Sequence, residues 1–418
     1  MRVLISATGS YGDIFPLVAI GRDLKRRGHD VFFFASSYFT PLVERSGLTA
    51  VGIGPPEAYE AVIRHPDAFH PRKGIRLIAR TNLEYLPEVY RRMDEQIVPG
   101  ETIVIGSTLA FGSRLFQETR SVPTATVHLA PSIFRSAFAP PRFEESGILE
   151  KFPPFANRAL FYVMDRLVVD PTFCPGFNRF RAGLELPPVK RLFGDWIHQA
   201  DVDVGLFPSW FAEKQRDWKG NIHLTGFPLE DGSRSGETLS EEAARFFDSS
   251  KRPVIFTAGT AATTETRFFE ESAEACRLAG IDGIFLTRYR EQIPRDLPGN
   301  VRHFDYLPFS LALPRVRALV HHGGIGTSSQ ALAAGVPQLV RPLAYDQFDN
   351  AHRLVRIGAA RLLSPTRYRA AAVAAALEEL TGSEAVRAAL ALVKRKLEGY
   401  DAVSATADVI LKELTGTG

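Results

Sequence analysis

The sequence predicts a two-domain α/β protein in which each domain is a doubly wound parallel sheet flanked by helices. Three observations carry this. The chain has 418 residues, too many for one ordinary core and enough for two domains of about 200 residues. Short, uninterrupted apolar runs alternate with helix-patterned segments, as in a parallel sheet covered on both faces. That series starts at Val3 and starts afresh at Val254.

Val3-Leu4-Ile5 is the first such run, and Ala7 to Pro16 follows as a turn-rich loop. Leu17 to Arg27 places Leu17, Ala19, Ile20 and Leu24 on one side and Arg22, Lys25 and Arg26 on the other, which is helical spacing. Gly28 stands where a C-terminal cap belongs. Val31 to Phe34 is the next strand, completing a βαβ unit. Thr102 to Ile105 and Thr124 to Val127 continue the series. In the second half the runs are Val254 to Thr257, Gly283 to Leu286, Ala318 to Val320 and Gln338 to Val340. The segment from Trp218 to Glu241 is rich in glycine and contains Asp231-Gly232-Ser233-Arg234-Ser235-Gly236, a linker composition. The expected division is a first domain over 1–217, a linker over 218–240 and a second domain over 241–401. The last segment, 402–418, reads as a helix with no strand after it, free to pack back on the first domain.

Composition narrows the class. A content of 45% hydrophobic and 23% charged residues is that of a globular protein, and a net charge of +3 gives no reason to expect nucleic acid as a partner. Cys174 and Cys276 are far apart and belong to no CxxC pair, so neither a disulfide framework nor a structural zinc site is expected from them. The N-terminus shows no signal-peptide core and no stretch reaches the about 20 apolar residues of a membrane span. A cytoplasmic location is the expectation. Phe69 to Met93 mixes six Lys and Arg side chains with Ile75, Leu77, Ile78 and Leu86. It reads as a solvated basic helix, with a peripheral contact at the inner face of the membrane as the alternative.

The strongest chemical signal is His321-His322-Gly323-Gly324-Ile325-Gly326-Thr327. It joins the end of a strand to the start of a helix, where glycines let an anion reach backbone N–H groups and the helix adds partial positive charge. A diphosphate is the natural ligand, with His322 and Thr327 as extra donors. The plain alternative is a strand-to-helix turn capped by Thr327. It is no P-loop, because no Gly-Lys-Ser/Thr follows. A second glycine turn, Ala258-Gly259-Thr260, follows the Val254 strand and faces the same edge if the sheet is parallel.

Gly9-Ser10-Tyr11-Gly12-Asp13-Ile14-Phe15-Pro16 lacks GxGxxG spacing, and the second strand ends in Phe34-Ala35-Ser36 with no acid for a ribose. A nicotinamide cofactor is therefore rejected, and no other cofactor is expected. Asp13 reads either as a helix N-cap or as a carboxylate at the mouth of the sheet. Asp201-Val202-Asp203 resembles a metal-binding DxD in spelling, but its alternation suggests a strand with valines inward and aspartates outward. No metal ligand set is assigned. Ile133 to Phe180 is aromatic-rich and reads as loop because of its prolines. Part of it, with Phe134 and Phe138, is a candidate lining for an apolar pocket.

These motifs, taken together at their spacing, resemble the GT-B-fold, family-1 glycosyltransferases over essentially the whole length of the protein. The resemblance rests on the Gly9 to Pro16 stretch, on His322 to Thr327, and on Gly335-Val336-Pro337 with Asp346-Gln347-Phe348-Asp349-Asn350-Ala351. Three further stretches resemble the rhamnosyltransferase of rhamnolipid synthesis: Leu206 to Phe211, Thr225 to Leu229 and Phe304 to Phe309. The resemblance implies two Rossmann-like domains facing a central cleft, with an acceptor site in the first and a nucleotide-sugar site in the second.

It implies diphosphate contacts at His322, Gly324, Gly326, Thr327, Gly259 and Thr260, and nucleoside contacts at Tyr306, Leu307 and Gln330. It puts donor-sugar contacts at Asp346 and Gln347, a general base at Asp13, and an acceptor pocket that includes Tyr11. The loop that carries a partner aspartate in plant members reads Gly106-Ser107-Thr108-Leu109 here, with hydroxyls only. Gln330 stands where plant members carry a ribose-binding glutamate. A carboxamide has one acceptor oxygen, which suits a 2′-deoxyribose, so a thymidine diphosphate sugar is favoured over a uridine one.

The implied activity is inverting, metal-independent transfer of a sugar, rhamnose as the first choice, to a hydroxyl of an apolar or lipid-like acceptor. The alternatives are a UDP-sugar-dependent glucosyltransferase of a sterol, terpenoid or polyketide-like aglycone, a sugar-nucleotide epimerase, and an inactive donor-binding scaffold.

Overall fold

The apolar runs of the first half pair as seven strands, all parallel, in the order β3-β2-β1-β4-β5-β6-β7. They are β1 (Arg2–Ser6), β2 (Asp30–Ser36), β3 (Thr49–Ile53), β4 (Thr102–Ser107), β5 (Thr124–His128), β6 (Val202–Gly205) and β7 (Ile222–Leu224). The second half gives six parallel strands in the order β10-β9-β8-β11-β12-β13. These are β8 (Val254–Thr257), β9 (Gly283–Leu286), β10 (Val301–Phe304), β11 (Ala318–His321), β12 (Gln338–Val340) and β13 (Ala360–Leu362). The computed structural model describes residues 1–70, 72–232 and 237–416.

The protein forms two units, one comprising 1–141, 146–228 and 401–418, the other 142–145 and 229–400. The first unit therefore runs past the expected boundary at 217. Residues 222–224 of the expected linker are β7, because Asp203 to Gly205 hydrogen-bond to Ile222 to Leu224 in parallel register. Residues 233–236 of that linker lie outside the described residues. The helix Ala402–Thr415 belongs to the first unit: Ala407, Ile410 and Leu414 share its core with Ile20 and Leu24. The Arg27 guanidinium holds it further, through the Ser404 hydroxyl at 2.8 Å.

Three local expectations need correcting. The first helix begins at Tyr11, not Leu17, with Pro16 inside it. Ser10 and Asp13 close its first turn reciprocally, which starts the helix before the apolar periodicity shows. Residues 154–183 are helical rather than looped: Pro154–Met164 runs through Asp165–Val169 into Asp170–Gly183. Pro154 sits in a first turn, where a missing N–H costs nothing, whereas Pro171 follows the π-helical stretch Asp165–Val169 and Pro175 lies inside the last helix. In β6, finally, Asp203 does not face outward; it is fully buried, because helices cover both faces of a parallel sheet. Asp201 lies just outside the strand and is exposed, accepting from the Thr124 N–H at 2.8 Å and from Gln117 Nε2 at 2.9 Å.

The basic segment forms the helix Lys73–Asp94, which buries Ala79, Leu86, Tyr90 and Met93. Arg91 and Arg92 on its other side pair with Glu95 and Glu88. Among the described residues no helix is long and apolar enough to cross a membrane.

Candidate active site

In the second unit, the turns after β8 and β11 converge on one imidazole. A Cβ built on Gly259 would lie 2.5 Å from His322 Cε1, and one built on Gly324 would lie 2.5 Å from His322 Nε2. The ring therefore lies across both glycines, and neither position accepts a side chain while it does. Burial drives the His322 pKa down to about 4, so the ring is neutral. Its Nδ1 is buried with no hydrogen-bond partner among the described residues.

The next turn is set by His321 and Gly323. His321 is fully buried; its Nε2 meets Gln338 Oε1 at 2.9 Å while Nδ1 accepts from the Gly323 N–H at 3.1 Å. Gly323 has φ +91°, and a Cβ there would meet Val340 Cγ1 at 2.9 Å and the Gln347 carbonyl oxygen at 3.0 Å. The helix Ile325–Ala334 follows, with Gly324 rather than Thr327 as its N-cap. Its first N–H groups, at Ile325, Gly326 and Thr327, have no intrahelical acceptor. Nothing lies within 4 Å of a Cβ built on Gly326. This combination offers a pocket of donors at a positive helix end, which suits a diphosphate. Thr260, on the β8 turn, is exposed, and its carbonyl accepts from the Tyr289 hydroxyl at 3.0 Å.

Gln330 lies one turn into the same helix and is 8% exposed. No protein group among the described residues hydrogen-bonds its carboxamide. Tyr306 is 41% exposed, and its hydroxyl donates to the Asp231 carbonyl at 3.1 Å. Leu307 points into the core at 4% exposure, so only its backbone is left for a nucleoside.

Gln347 and Asp346 open the helix after β12. Gln347 Oε1 accepts from the Leu343 and Ala344 N–H groups at 2.7 and 3.2 Å, leaving its NH₂ for a ligand. Asp346 Oδ2 accepts from Asn350 Nδ2 at 2.7 Å, and the same Asn350 nitrogen donates to the Gly323 carbonyl at 3.0 Å. Asn350, fully buried, thus ties Asp346 to the β11 turn. In the sequence Asn350 stands inside a motif without a role of its own; its helical spacing of four from Asp346 is the signal that points to it. His321 is likewise visible there only as a neighbour of His322.

In the first unit, Asp13 is the third residue of its helix rather than the N-cap. Its Oδ2 accepts from the Ser10 N–H at 2.7 Å and from the Ser10 hydroxyl at 3.1 Å. Gly9, at φ +136°, makes room for it: a Cβ there would lie 2.3 Å from Asp13 Oδ2. Burial pushes the Asp13 pKa above the ordinary carboxylate value, against the two Ser10 hydrogen bonds, which lower it. Tyr11 beside it packs edge-on against Phe39 with ring centroids 5.0 Å apart and lies 5.5 Å from Phe15.

Ser107 Oγ, at the end of β4, accepts from the Thr8 N–H at 3.0 Å, so the loop after β1 is tied to the end of β4. Phe134 is a core residue, 4% exposed and stacked on Trp218 at 4.8 Å. Phe138 is half-buried, with the Arg216 guanidinium 3.7 Å from its ring centroid.

Two Rossmann-like parallel sheets, the second ending in a glycine and histidine cradle at a helix N-terminus, are the architecture of a GT-B glycosyltransferase. Residues 3–139 match the glycosyltransferase family 28 N-terminal domain, and residues 279–399 match the erythromycin biosynthesis protein CIII-like C-terminal domain. The sequence is 30% identical over 402 residues to the O-mycaminosyltylonolide 6-deoxyallosyltransferase of Streptomyces fradiae, covering 90% of this protein and 89% of that one. Among solved structures, the glycotransferase of kitacinnamycin superposes with a TM-score of 0.74 at 20% identity, covering 99% of both proteins. The spinosyn rhamnosyltransferase SpnG complexed with thymidine diphosphate superposes with a TM-score of 0.69 at 19% identity, covering 98% of this protein and 100% of the other. The protein belongs to the GT-B-fold, family-1 glycosyltransferases, and is a glycosyltransferase.

Proposed function

We propose that this glycosyltransferase moves a 6-deoxysugar from a thymidine diphosphate donor to a hydroxyl of an apolar, polyketide-like aglycone, with inversion at the anomeric carbon. The observation that carries the reading is Asp13. It is a carboxylate beside an aromatic cluster, with its pKa raised by burial toward the range useful to a general base. The acceptor oxygen attacks the anomeric carbon, the bond from that carbon to the diphosphate oxygen breaks, and Asp13 takes the hydroxyl proton. The diphosphate gains charge as it leaves. His322, the Thr327 hydroxyl and the N–H groups of the helix Ile325–Ala334 stabilise it in the role a divalent cation fills elsewhere. Asp346 and the Gln347 NH₂ hold the sugar, Tyr306 faces the base, and Gln330 meets the deoxyribose.

The aglycone class is supported by the relatives, whose names include a tylonolide 6-deoxyallosyltransferase and a spinosyn rhamnosyltransferase. A thymidine donor is supported by the second of these, solved with thymidine diphosphate. Rhamnose transfer to a lipid is the second reading. It is favoured by the exposed apolar side chains of the helical segment 154–169, with Phe155 at 74% and Leu167 at 72% exposure.

A panel of thymidine and uridine diphosphate sugars, screened by thermal shift and then incubated with macrolide aglycones and hydroxy fatty acids, tests this. The expected product is an aglycone heavier by one deoxyhexose, formed at the same rate with or without added Mg²⁺ or Mn²⁺. Donor turnover that yields only an isomerised nucleotide sugar would identify an epimerase instead.

A further inference from the structure

The first unit holds a second cluster of polar side chains that sugar transfer does not use. His128 ends β5, Asp203 sits in β6, and His198 comes from the short turn Trp196–His198. Thr126 pairs with Asp203 and His128 with Gly205, so His128 and Asp203 are diagonal neighbours on one face of the sheet. One donor atom from each of the three lies within 4.8 Å of the other two. Relative exposures are 0% for His128, 0% for Asp203 and 6% for His198.

Besides the His128–Asp203 contact within it, the cluster is held from outside by a hydroxyl. His128 Nδ1 is 2.9 Å from the Thr108 hydroxyl. An oxygen holding the outer ring nitrogen is how metal-binding histidines are oriented. His198 Nδ1 is buried with no partner among the described residues. What remains on offer is His128 Nε2, His198 Nδ1 and the Asp203 carboxylate, whose Oδ2 also has no partner among the described residues. His128 Nε2 and Asp203 Oδ1 are 3.3 Å apart. That is long for a charge-assisted hydrogen bond, but two ligands about 2.0–2.1 Å from one tetrahedral ion stand about 3.3 Å apart.

Gly220 covers the carboxylate. At φ +89°, a Cβ built on it would be 2.6 Å from both Asp203 Oδ2 and the His198 carbonyl oxygen.

We propose that His128, His198 and Asp203 form a structural site for one divalent d-block cation, zinc by the chemistry of the donors, tying β5 and β6 to the Trp196–His198 turn. Two imidazoles and a carboxylate are a zinc donor set. The cation relieves two unpartnered buried atoms, His198 Nδ1 and Asp203 Oδ2, which are costly when left alone. The Phe134 ring, with His128 at 4.8 Å and His198 at 5.4 Å, walls one side of the site, and three protein ligands leave the fourth tetrahedral position to a water. Its role is to hold the fold of the first unit, separate from the donor turns of the second.

The test uses the full-length protein without a polyhistidine tag and without nucleotide. Elemental analysis of the purified protein should find about one zinc or similar cation per molecule. Prolonged treatment with a strong chelator should lower the melting temperature, and zinc chloride, but not magnesium chloride, should restore it. Cobalt(II) chloride added to the stripped protein should give visible d–d absorption. His198→Ala and Asp203→Asn should each lose the bound metal and the zinc response. If a variant fails to fold, the cobalt spectrum of the wild type still decides. A metal-free wild type whose melting temperature ignores zinc, or variants that keep both metal and response, would overturn the proposal. The cluster would then be a proton-bridged histidine–aspartate pair.

Discussion

His322 lies flat against Gly259, with a Cβ at that glycine falling 2.5 Å from the ring's Cε1 and 2.8 Å from each ring nitrogen. Two turns from different strands thereby present one neutral imidazole at a helix N-terminus. Gly259→Ala should push the ring out of place and also strain a backbone at φ +92°. Losing one hydrogen bond to a charged diphosphate costs about 1.5–3 kcal/mol, or about 10- to 100-fold in affinity. Calorimetric titration of thymidine diphosphate into wild type and variant checks this. Unchanged affinity would remove His322 from the diphosphate site.

Ser10 sets the pH response of the base. Asp13 must be ionised to accept a proton, so kcat falls as pH drops through its raised pKa. The Ser10 hydroxyl lowers that pKa by donating to Oδ2 at 3.1 Å. Ser10→Ala removes this donor, so the acid limb of the kcat profile should move to higher pH. The helix also loses its N-cap, so the melting temperature should fall by an amount matching about 0.5–2 kcal/mol. An acid limb that stays in place would mean that another group sets it.

Gln330 bears on the choice of nucleotide. Its side chain is 8% exposed and its carboxamide has no protein partner among the described residues, so it is open to a bound nucleotide. Gln330→Glu supplies a second acceptor oxygen and should shift preference toward uridine diphosphate, by about 1.5–3 kcal/mol for a charge-assisted bond to the 2′-hydroxyl. Titrating both nucleotides into both proteins measures the shift. A strong uridine preference in the wild type would contradict a thymidine donor.

Much of this architecture was legible in the sequence because buried parallel strands are apolar throughout: Val3 to Ile5, Val254 to Phe256 and Ala318 to Val320 are each fully buried. β7 was not legible. Ile222-His223-Leu224 is three residues long with a histidine at its centre, and only its pairing with β6 defines it. The helices over 154–183 were hidden by Pro154, which a first turn tolerates, and by Pro171 and Pro175, which the helical run accommodates in its interior. The buried Asp203 was hidden because alternation within β6 says nothing about which faces are covered. The glycine turns and Asp13 could be picked out singly. That Gly259 and Gly324 share one imidazole, and that Asn350 links Asp346 to the β11 turn, are tertiary facts between residues distant in sequence.

The transfer rate of Asp13→Asn tests the role of the carboxylate most directly. The substitution keeps the side chain's size and an oxygen for Ser10, so the protein should fold and bind the thymidine diphosphate donor as wild type does. Without a base, kcat should fall by about 10²- to 10⁴-fold. Wild-type turnover in Asp13→Asn, with donor binding intact, would contradict Asp13 as the group that takes the acceptor proton.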